Sequence, residues 1–159
     1  MATEITTATG SPSPLDDMAC FALYSASNAV AQAHRAALAP WNLTYTQYIA
    51  LVELAADRDG LTVGALGSRL GLDSGTLSPM LRRLEERGLV IRARSRDDER
   101  VVTVSLTDEG RSVRAELAEA VSCLTPAYGL GSLDELRSLV ASLHGIAEGM
   151  RELTAATRA

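Results

Sequence analysis

The sequence predicts a mainly α-helical fold with one small β-hairpin. Two patterns lead to this prediction: apolar residues recur at helical spacing over most of the chain, and two short segments rich in Val flank one charged loop. The 159 residues suit one domain, or one domain with an added dimerisation element. The expected fold class is therefore mainly α, with the hairpin interrupting a series of helices.

The N-terminal residues 1–14 differ from the rest of the chain in composition. They are rich in Thr, Ala, Ser and Pro, so they are predicted to form a disordered tail. The tail lacks the basic start and apolar core of a signal peptide. No uncharged apolar run reaches the length of a membrane span; the longest candidate, residues 18–33, is interrupted by polar residues. The protein is expected to be soluble and cytoplasmic, with no membrane partner.

Capping residues and helix breakers divide the remainder into helices. Asp16 or Asp17 is expected to begin the first helix, and Pro40 to end it. Thr62 and Thr107 are expected to cap two later helices, because a hydroxyl can accept a backbone N–H of the first turn. Outside residues 73–106, helices are expected at about 16–39, 44–56, 62–70, 108–124 and 132–155.

Residues 73–106 are the most informative stretch. A short helix is expected between Asp73, a typical N-cap, and Gly88, a typical left-handed C-cap. Strands are expected at 89–93 and 101–106, on either side of a charged loop. A helix followed by an arginine-rich wing is an arrangement that reads duplex DNA, because the helix fits the major groove and the wing reaches an adjacent groove. The stretch therefore makes DNA binding the leading hypothesis for this chain.

The predicted recognition helix has two different faces. Leu77, Leu81 and Leu84 recur at helical spacing and are expected to be buried. Small residues at the helix start allow a close approach to bases and phosphates. The candidate DNA-binding residues of the helix and the loop are Ser74, Gly75, Thr76, Ser78, Pro79, Arg82, Arg83, Arg94 and Arg96.

The distribution of charge also favours DNA binding. The chain has a net charge of −5, yet residues 73–106 carry seven arginines against six carboxylates, so this stretch is +1 and the remainder −6. All the Lys and Arg positions are arginine, which binds phosphate and guanine in bidentate fashion. The alternative is a solvated hairpin in a chain that simply favours arginine.

Two cysteines are candidates for redox chemistry. Cys20 is expected about one turn into the first helix, where the helix dipole favours a thiolate. Tyr24, four residues later, lies on the same face and can donate a hydrogen bond to that thiolate. No CxxC motif is present, so neither a zinc knuckle nor a thioredoxin motif is supported. No metal site or cofactor is expected. The alternative for Cys20 is a small buried apolar residue.

The winged segment resembles a known family of bacterial transcription regulators, the MarR family. The resemblance spans roughly residues 15–150 and is carried by residues 61–110, LTVGALGSRLGLDSGTLSPMLRRLEERGLVIRARSRDDERVVTVSLTDEG. Two strings, DSGTLSPMLRRLE and DDERVVTVSLT, resemble the branch that senses organic hydroperoxides, usually called OhrR. The resemblance implies a homodimer with dimerisation helices at 15–45 and 107–155 around a winged helix-turn-helix at 46–106, all within a domain 15–159.

The resemblance also implies roles for individual residues. In the family, an Asp-x-Arg pair in the wing directs an arginine towards the minor groove, and Asp98 and Arg100 match that pair. The string CFALYSAS is similar to the segment with the peroxide-reactive cysteine, so Cys20 is implied to be the sensing thiol. Tyr24 and Tyr45 match two tyrosines that hold this cysteine, partly across the dimer interface.

Two further positions complete the implied sensing site. A third family tyrosine would fall at position 34, where this chain has His34; a histidine can hydrogen-bond a thiolate, but an ordinary exposed histidine is the alternative. Cys123 lies in about the region of the cysteine that, in two-cysteine members, resolves the oxidised thiol into an intersubunit disulfide. The alternative for Cys123 is a buried core residue. In that case the oxidised Cys20 would form a mixed disulfide with a small thiol or would be overoxidised.

The expected function is a DNA-binding repressor rather than an enzyme. Its dimer is expected to bind a pseudo-palindromic double-stranded operator, with recognition helices about 34 Å apart. An organic hydroperoxide would oxidise Cys20 and release the DNA. Two alternatives remain: a MarR-type regulator controlled by a small lipophilic or phenolic ligand, and a thiol peroxidase, which would have no use for an arginine wing.

Overall fold

The computed structural model describes residues 13–94 and 101–157, and they form two compact units, one ending at Ser122 and the other beginning at Cys123. The predicted disordered tail falls largely outside the described residues. The first unit contains helices α1 (Ala19–Leu38), α2 (Tyr45–Ala56), α3 (Val63–Leu70), α4 (Ser74–Glu86) and α5 (Asp108–Ser122), and strands β1 (Leu61–Thr62), β2 (Val90–Arg94) and β3 (Val102–Leu106).

The strands form a small antiparallel sheet in the order β1-β3-β2. The hairpin of β2 and β3 confirms the predicted wing, with Val90 opposite Leu106 and Arg94 opposite Val102. The third strand, β1, was not predicted. It has only two residues, with Leu61 opposite Val104, and is too short to show the alternation that indicates a strand.

Local capping explains most helix starts. Thr44 caps α2 with a capping box, in which its hydroxyl accepts the Gln47 N–H while the Gln47 side chain accepts the Thr44 N–H. Thr62 caps α3 through the Ala65 N–H. The predicted start of α1 was wrong: Asp16 accepts the Ser13 N–H within a preceding turn, so the helix begins only at Ala19.

The core of the first unit packs the predicted apolar face of α4 against α3 and β2. The expectation that Leu77, Leu81 and Leu84 are buried is confirmed, since each is at most 1% exposed. This packing fixes the orientation of α4 and leaves its other face exposed. The largest fully buried side chains are Leu38, Leu51, Leu54, Leu66, Leu77, Leu81, Leu84, Val104 and Leu117.

The second unit consists of a 3-10 turn, Thr125–Tyr128, followed by α6 (Leu133–Thr157). Ser132 accepts the Glu135 N–H and so caps α6, as the sequence predicts. None of the residues of α6 is buried. Its exposed large apolar residues are Leu133, Val140, Leu143, Ile146, Met150 and Leu153. Over the described residues, the helices are too short or too polar to cross a membrane.

Candidate DNA interface and candidate thiol site

The start of α4 is held by Asp73. Its carboxylate accepts the Thr76 backbone N–H at 2.9 Å and the Thr76 hydroxyl at 3.1 Å. These two hydrogen bonds are the main reason that the pKa of Asp73 lies below its ordinary value of 3.8. The cap leaves the small residues of the first turn, Ser74, Gly75 and Thr76, exposed to solvent.

A shallow groove of about 500 Å³ runs between α4 and β2. Most of its lining residues are predicted DNA-binding residues of α4, and three of the six are arginines. Arginine side chains are expected where a protein contacts phosphates. Arg82 is paired with Glu86 of the next turn at 2.9 Å and is 75% exposed, so it can exchange that partner for a phosphate at little cost. The groove is lined by Ser78, Pro79, Arg82, Arg83, Glu86 and Arg92.

Arg92 contributes to this groove and was missed as a candidate. The signal was present, because period-two alternation puts Arg92 on the same face of β2 as Arg94, which was predicted. Glu85 of α4 accepts the Arg92 backbone N–H at 3.2 Å, and its other carboxylate oxygen lies 3.8 Å from the Arg92 guanidinium. Glu85 therefore fastens the wing to the candidate recognition helix.

Arg94, at the end of β2, is exposed as expected for a wing residue. Three other wing predictions, Arg96, Asp98 and Arg100, fall outside the described residues. The two strands that carry this loop are described on both sides of it, with Arg94 paired to Val102.

Cys20 is the second residue of α1 and is exposed. The buried-core alternative for Cys20 is therefore wrong within a single chain. Tyr24 lies one turn further along the helix and is 64% exposed. Both side chains project from a segment that also exposes Met18 and Phe21.

His34 is buried at the other end of α1, so the alternative of an ordinary exposed histidine is wrong. It shares a helix face with Leu38, four residues on, which is the sequence signal for its burial. Its Nδ1 lies 2.8 Å from the Val30 carbonyl oxygen; because a carbonyl can only accept, Nδ1 carries the proton and Nε2 is the acceptor in the neutral ring. The ring contacts Tyr45 edge-on, at 4.8 Å between centroids, and lies 6.4 Å from Tyr48.

The structure brings His34 and Tyr45 together but does not bring Cys20 to them. Cys20 and His34 are separated by fourteen residues of one helix, or ~21 Å along its axis. Cys123, the first residue of the second unit, is exposed, so its buried-core alternative is also wrong within one chain. A site that joins the thiol of Cys20 to the His34–Tyr45 pair therefore needs more than one chain.

The helix pair α3–α4 followed by the β2–β3 hairpin is the arrangement of a winged-helix DNA-binding regulator. The chain belongs to the family described as "Transcriptional regulator SarA/Rot", which matches residues 36–117, and it is a transcriptional regulator of the MarR type. It is 47% identical over 135 residues to the HTH-type transcriptional regulator TtmR of Methylorubrum extorquens, covering 83% of this chain and 67% of that protein. It is 38% identical to the organic hydroperoxide resistance transcriptional regulator of Bacillus subtilis, covering 87% and 92%.

Solved structures confirm the winged-helix fold. The repressor CouR bound to a 23-mer DNA duplex matches with a TM-score of 0.77 at 30% identity, over 84% of this chain and 94% of that one. Reduced AbfR bound to DNA matches with a TM-score of 0.74 at 32% identity, over 86% and 94%. These relatives are transcriptional regulators and not enzymes.

Proposed function

We propose that this regulator is a homodimeric repressor that senses organic hydroperoxides by oxidation of Cys20 and then releases its operator. The observation that carries the proposal is the exposed thiol in the first turn of α1, on a chain 38% identical to an organic hydroperoxide resistance regulator. An accessible thiol meets the first requirement for reaction with a peroxide, since the oxidant must reach the sulfur.

The dimer completes the site in this proposal. Residue 27 lies midway between Cys20 and His34, so two α1 helices that cross antiparallel at Ser27 place the thiol of one copy opposite the His34–Tyr45 pair of the other. Residues 25–27 and 29, near the proposed crossing, are Ser or Ala, and small side chains permit close approach of the helices. Exposed apolar residues on α1 and α6 supply further surface for a second copy to bury.

The chemical step is a two-electron transfer. The Cys20 thiolate attacks one oxygen of the peroxide bond, so that an S–O bond forms and the O–O bond breaks. The sulfur is oxidised to a sulfenic acid, and the peroxide is reduced to the alkoxide, which takes a proton and leaves as an alcohol. The Tyr45 hydroxyl of the second copy donates a hydrogen bond to the thiolate, and His34 Nε2, which is an acceptor in the neutral ring, can accept the proton that the thiol loses.

The sulfenic acid then condenses with a second thiol, and water leaves as the disulfide forms. We propose Cys123 of a second copy as that thiol, with a small-molecule thiol as the alternative. Since the disulfide replaces the packing of the thiol against the tyrosines, the α1 helices shift. The two recognition helices then lose the spacing of about 34 Å that matches successive major grooves.

An electrophoretic mobility shift experiment tests the proposal. A duplex selected from a random library by the reduced wild-type protein is the probe, and cumene hydroperoxide is the oxidant. The wild-type protein should release the duplex after oxidation and bind it again after reduction, whereas Cys20→Ser should bind before and after treatment. Release of the duplex by oxidised Cys20→Ser would overturn the proposal.

A non-reducing gel separates the two fates of the sulfenic acid. A covalent dimer that requires both Cys20 and Cys123 supports the intersubunit disulfide. A dimer band that persists in Cys123→Ser would rule out that role for Cys123. A monomer with the added mass of the small thiol would instead support a mixed disulfide.

A second candidate is control by a small ligand. It is favoured by the similarity to CouR, which is also described in complex with p-coumaroyl-CoA, at a TM-score of 0.76 and 28% identity. In that case Cys20→Ser would leave induction intact, and a phenolic compound or its thioester would release the DNA without any oxidant.

A further inference from the structure

Arg87 joins the end of α4 to a second helix end. It is the C-cap residue of α4. Its guanidinium donates a hydrogen bond to the Trp41 carbonyl oxygen at 2.6 Å and another to the Asn42 carbonyl oxygen at 3.0 Å. These carbonyls lie at the end of the 3-10 helix Ala39–Trp41, which follows α1. One side chain thus connects the candidate recognition helix with the corner between α1 and α2.

The contact depends on the conformation of that corner. Asn42 has a left-handed backbone, with φ at 50°, and its N–H donates to the Ala39 carbonyl at 2.9 Å. The planar guanidinium can bind two successive carbonyls only while both face it. The positive charge also lies at the carbonyl end of the 3-10 helix, where the exposed carbonyl oxygens favour a cation.

The corner is held from a second direction by α5. The indole N–H of Trp41 donates to the Glu116 carboxylate at 2.9 Å, across 75 residues of sequence. Trp41 is partly buried against the core of the first unit. If the corner is displaced, its contacts with α4 and α5 must therefore break, or these helices must move with it.

In the sequence, the corner lies between the two members of the His34–Tyr45 pair. His34 is four residues before Leu38, the end of α1, and Tyr45 is three residues after Asn42, at the start of α2. The His34 and Tyr45 rings are in contact at 4.8 Å. A change in how these rings pack therefore moves the ends of the segment whose carbonyls bind Arg87.

We infer that Arg87 is a positioning residue that couples the His34–Tyr45 pair to the recognition helix. This inference deepens the proposed function and rests on it, since the pair is the proposed contact of the Cys20 thiol before its oxidation. The guanidinium transmits a displacement of the corner to the C-terminal end of α4, whose exposed face carries the candidate DNA-binding side chains.

A double-mutant cycle on DNA affinity tests the coupling without any oxidant. The dissociation constant for the selected duplex is measured for the reduced wild type, Tyr45→Ala, Arg87→Gln and the double variant. Removing the Tyr45 ring should change the affinity about fivefold or more in the wild-type background, at the lower end of typical coupling between sites. In the Arg87→Gln background the same removal should change it less than twofold.

Arg111→Gln is the matched control, because it also removes an exposed arginine, here one that pairs with Asp108 on α5, and leaves the corner untouched. In that background the full effect of Tyr45→Ala should remain. Equal effects of Tyr45→Ala with and without Arg87 would overturn the inference, even if Arg87→Gln lowers the melting temperature. If Arg87→Gln does not fold, Arg87→Lys replaces it, since lysine keeps the charge and loses the two-pronged contact.

A parallel titration with cumene hydroperoxide separates this inference from the proposed function. If the wild type still binds DNA after oxidation while the double-mutant cycle is non-additive, peroxide sensing is refuted and the coupling through Arg87 is supported. A wild type that releases DNA on oxidation while the cycle is additive retains peroxide sensing and refutes the coupling through Arg87.

Discussion

Gly110 of α5 lies against the backbone at the start of the wing, and replacing it with alanine tests how that wing is held. A Cβ at Gly110 would lie 1.9 Å from the Leu89 carbonyl oxygen, whereas real Cβ contacts essentially never fall below 3.0 Å. The two backbones would have to separate by about 1.1 Å. Because the obstacle is backbone rather than a flexible side chain, rotamer changes cannot relieve it.

The separation would disrupt hydrogen bonds that join the wing to α5. The Leu89 carbonyl also accepts the Thr107 N–H at 3.1 Å, and the Thr107 hydroxyl donates to the Gly88 carbonyl at 2.6 Å. Overpacking costs about 1–3 kcal/mol, and each weakened hydrogen bond costs about 1 kcal/mol more. We expect Gly110→Ala to lower the free energy of unfolding by about 3 kcal/mol or more, equivalent to a melting temperature about 6–12 °C lower.

Thermal unfolding followed by circular dichroism measures this effect. Gly64→Ala in α3 is the matched control, because no atom outside the adjacent residues and the local helix backbone lies within 4 Å of the added Cβ. Alanine favours a helix over glycine by about 1 kcal/mol, so the control should be as stable as the wild type or more stable. A melting temperature for Gly110→Ala within about 2 °C of the wild type would refute the packing argument.

Three further predictions concern the candidate DNA interface. The pKa of Asp73 is lowered by its Thr76 hydrogen bonds, so its stabilisation is present above the ordinary value and is lost as the pH falls through the lower folded value. The melting temperature of the wild type should therefore exceed that of Asp73→Asn at pH 7, and this advantage should shrink as the pH falls below 3.8; a constant difference would contradict the assignment. Arg83→Ala should weaken binding to the selected duplex and reduce the salt dependence of binding by about one charge, whereas Arg111→Ala should leave the slope unchanged. Glu85→Ala should cost about 1 kcal/mol of stability and accelerate hydrogen exchange of the Arg92 amide, which its carboxylate binds at 3.2 Å; unchanged exchange would show that the wing is held without Glu85.

The parts of the fold that depend on local chemistry were predictable from the sequence. Thr62, Asp73 and Thr107 cap their helices through residues three positions later, and a capping pattern of that length is visible in the sequence. Asp16 is an aspartate like Asp73, but its carboxylate accepts the Ser13 N–H in a turn. The start of α1 was therefore predicted too early. The sequence alone does not distinguish these two uses of a carboxylate.

The parts that depend on distant contacts were not predictable in the same way. Strand β1 exists because Leu61 pairs with Val104, more than forty residues away. The role of Arg87 depends on carbonyls 45 and 46 residues earlier, which no local pattern identifies. Neither the β1–β3 pairing nor the Arg87 hydrogen bonds change the spacing of apolar residues in their own segments. The hydrophobic periodicity therefore cannot predict either contact.

The apolar and polar contacts of α4 differ in the free energy needed to break them. This difference determines which parts of the first unit can rearrange. The inner face of α4 buries Leu81 and Leu84 completely, and displacing such residues costs about 2–5 kcal/mol each. The ties of Glu85 and Arg87 are exposed or half-buried polar contacts, each contributing about 1 kcal/mol. A switch that acts on this unit therefore moves α4 together with the residues that it packs against and rearranges the polar contacts at its edges. In the proposed function, oxidation of Cys20 would then have to supply only the few kcal/mol that separate two arrangements of the same core.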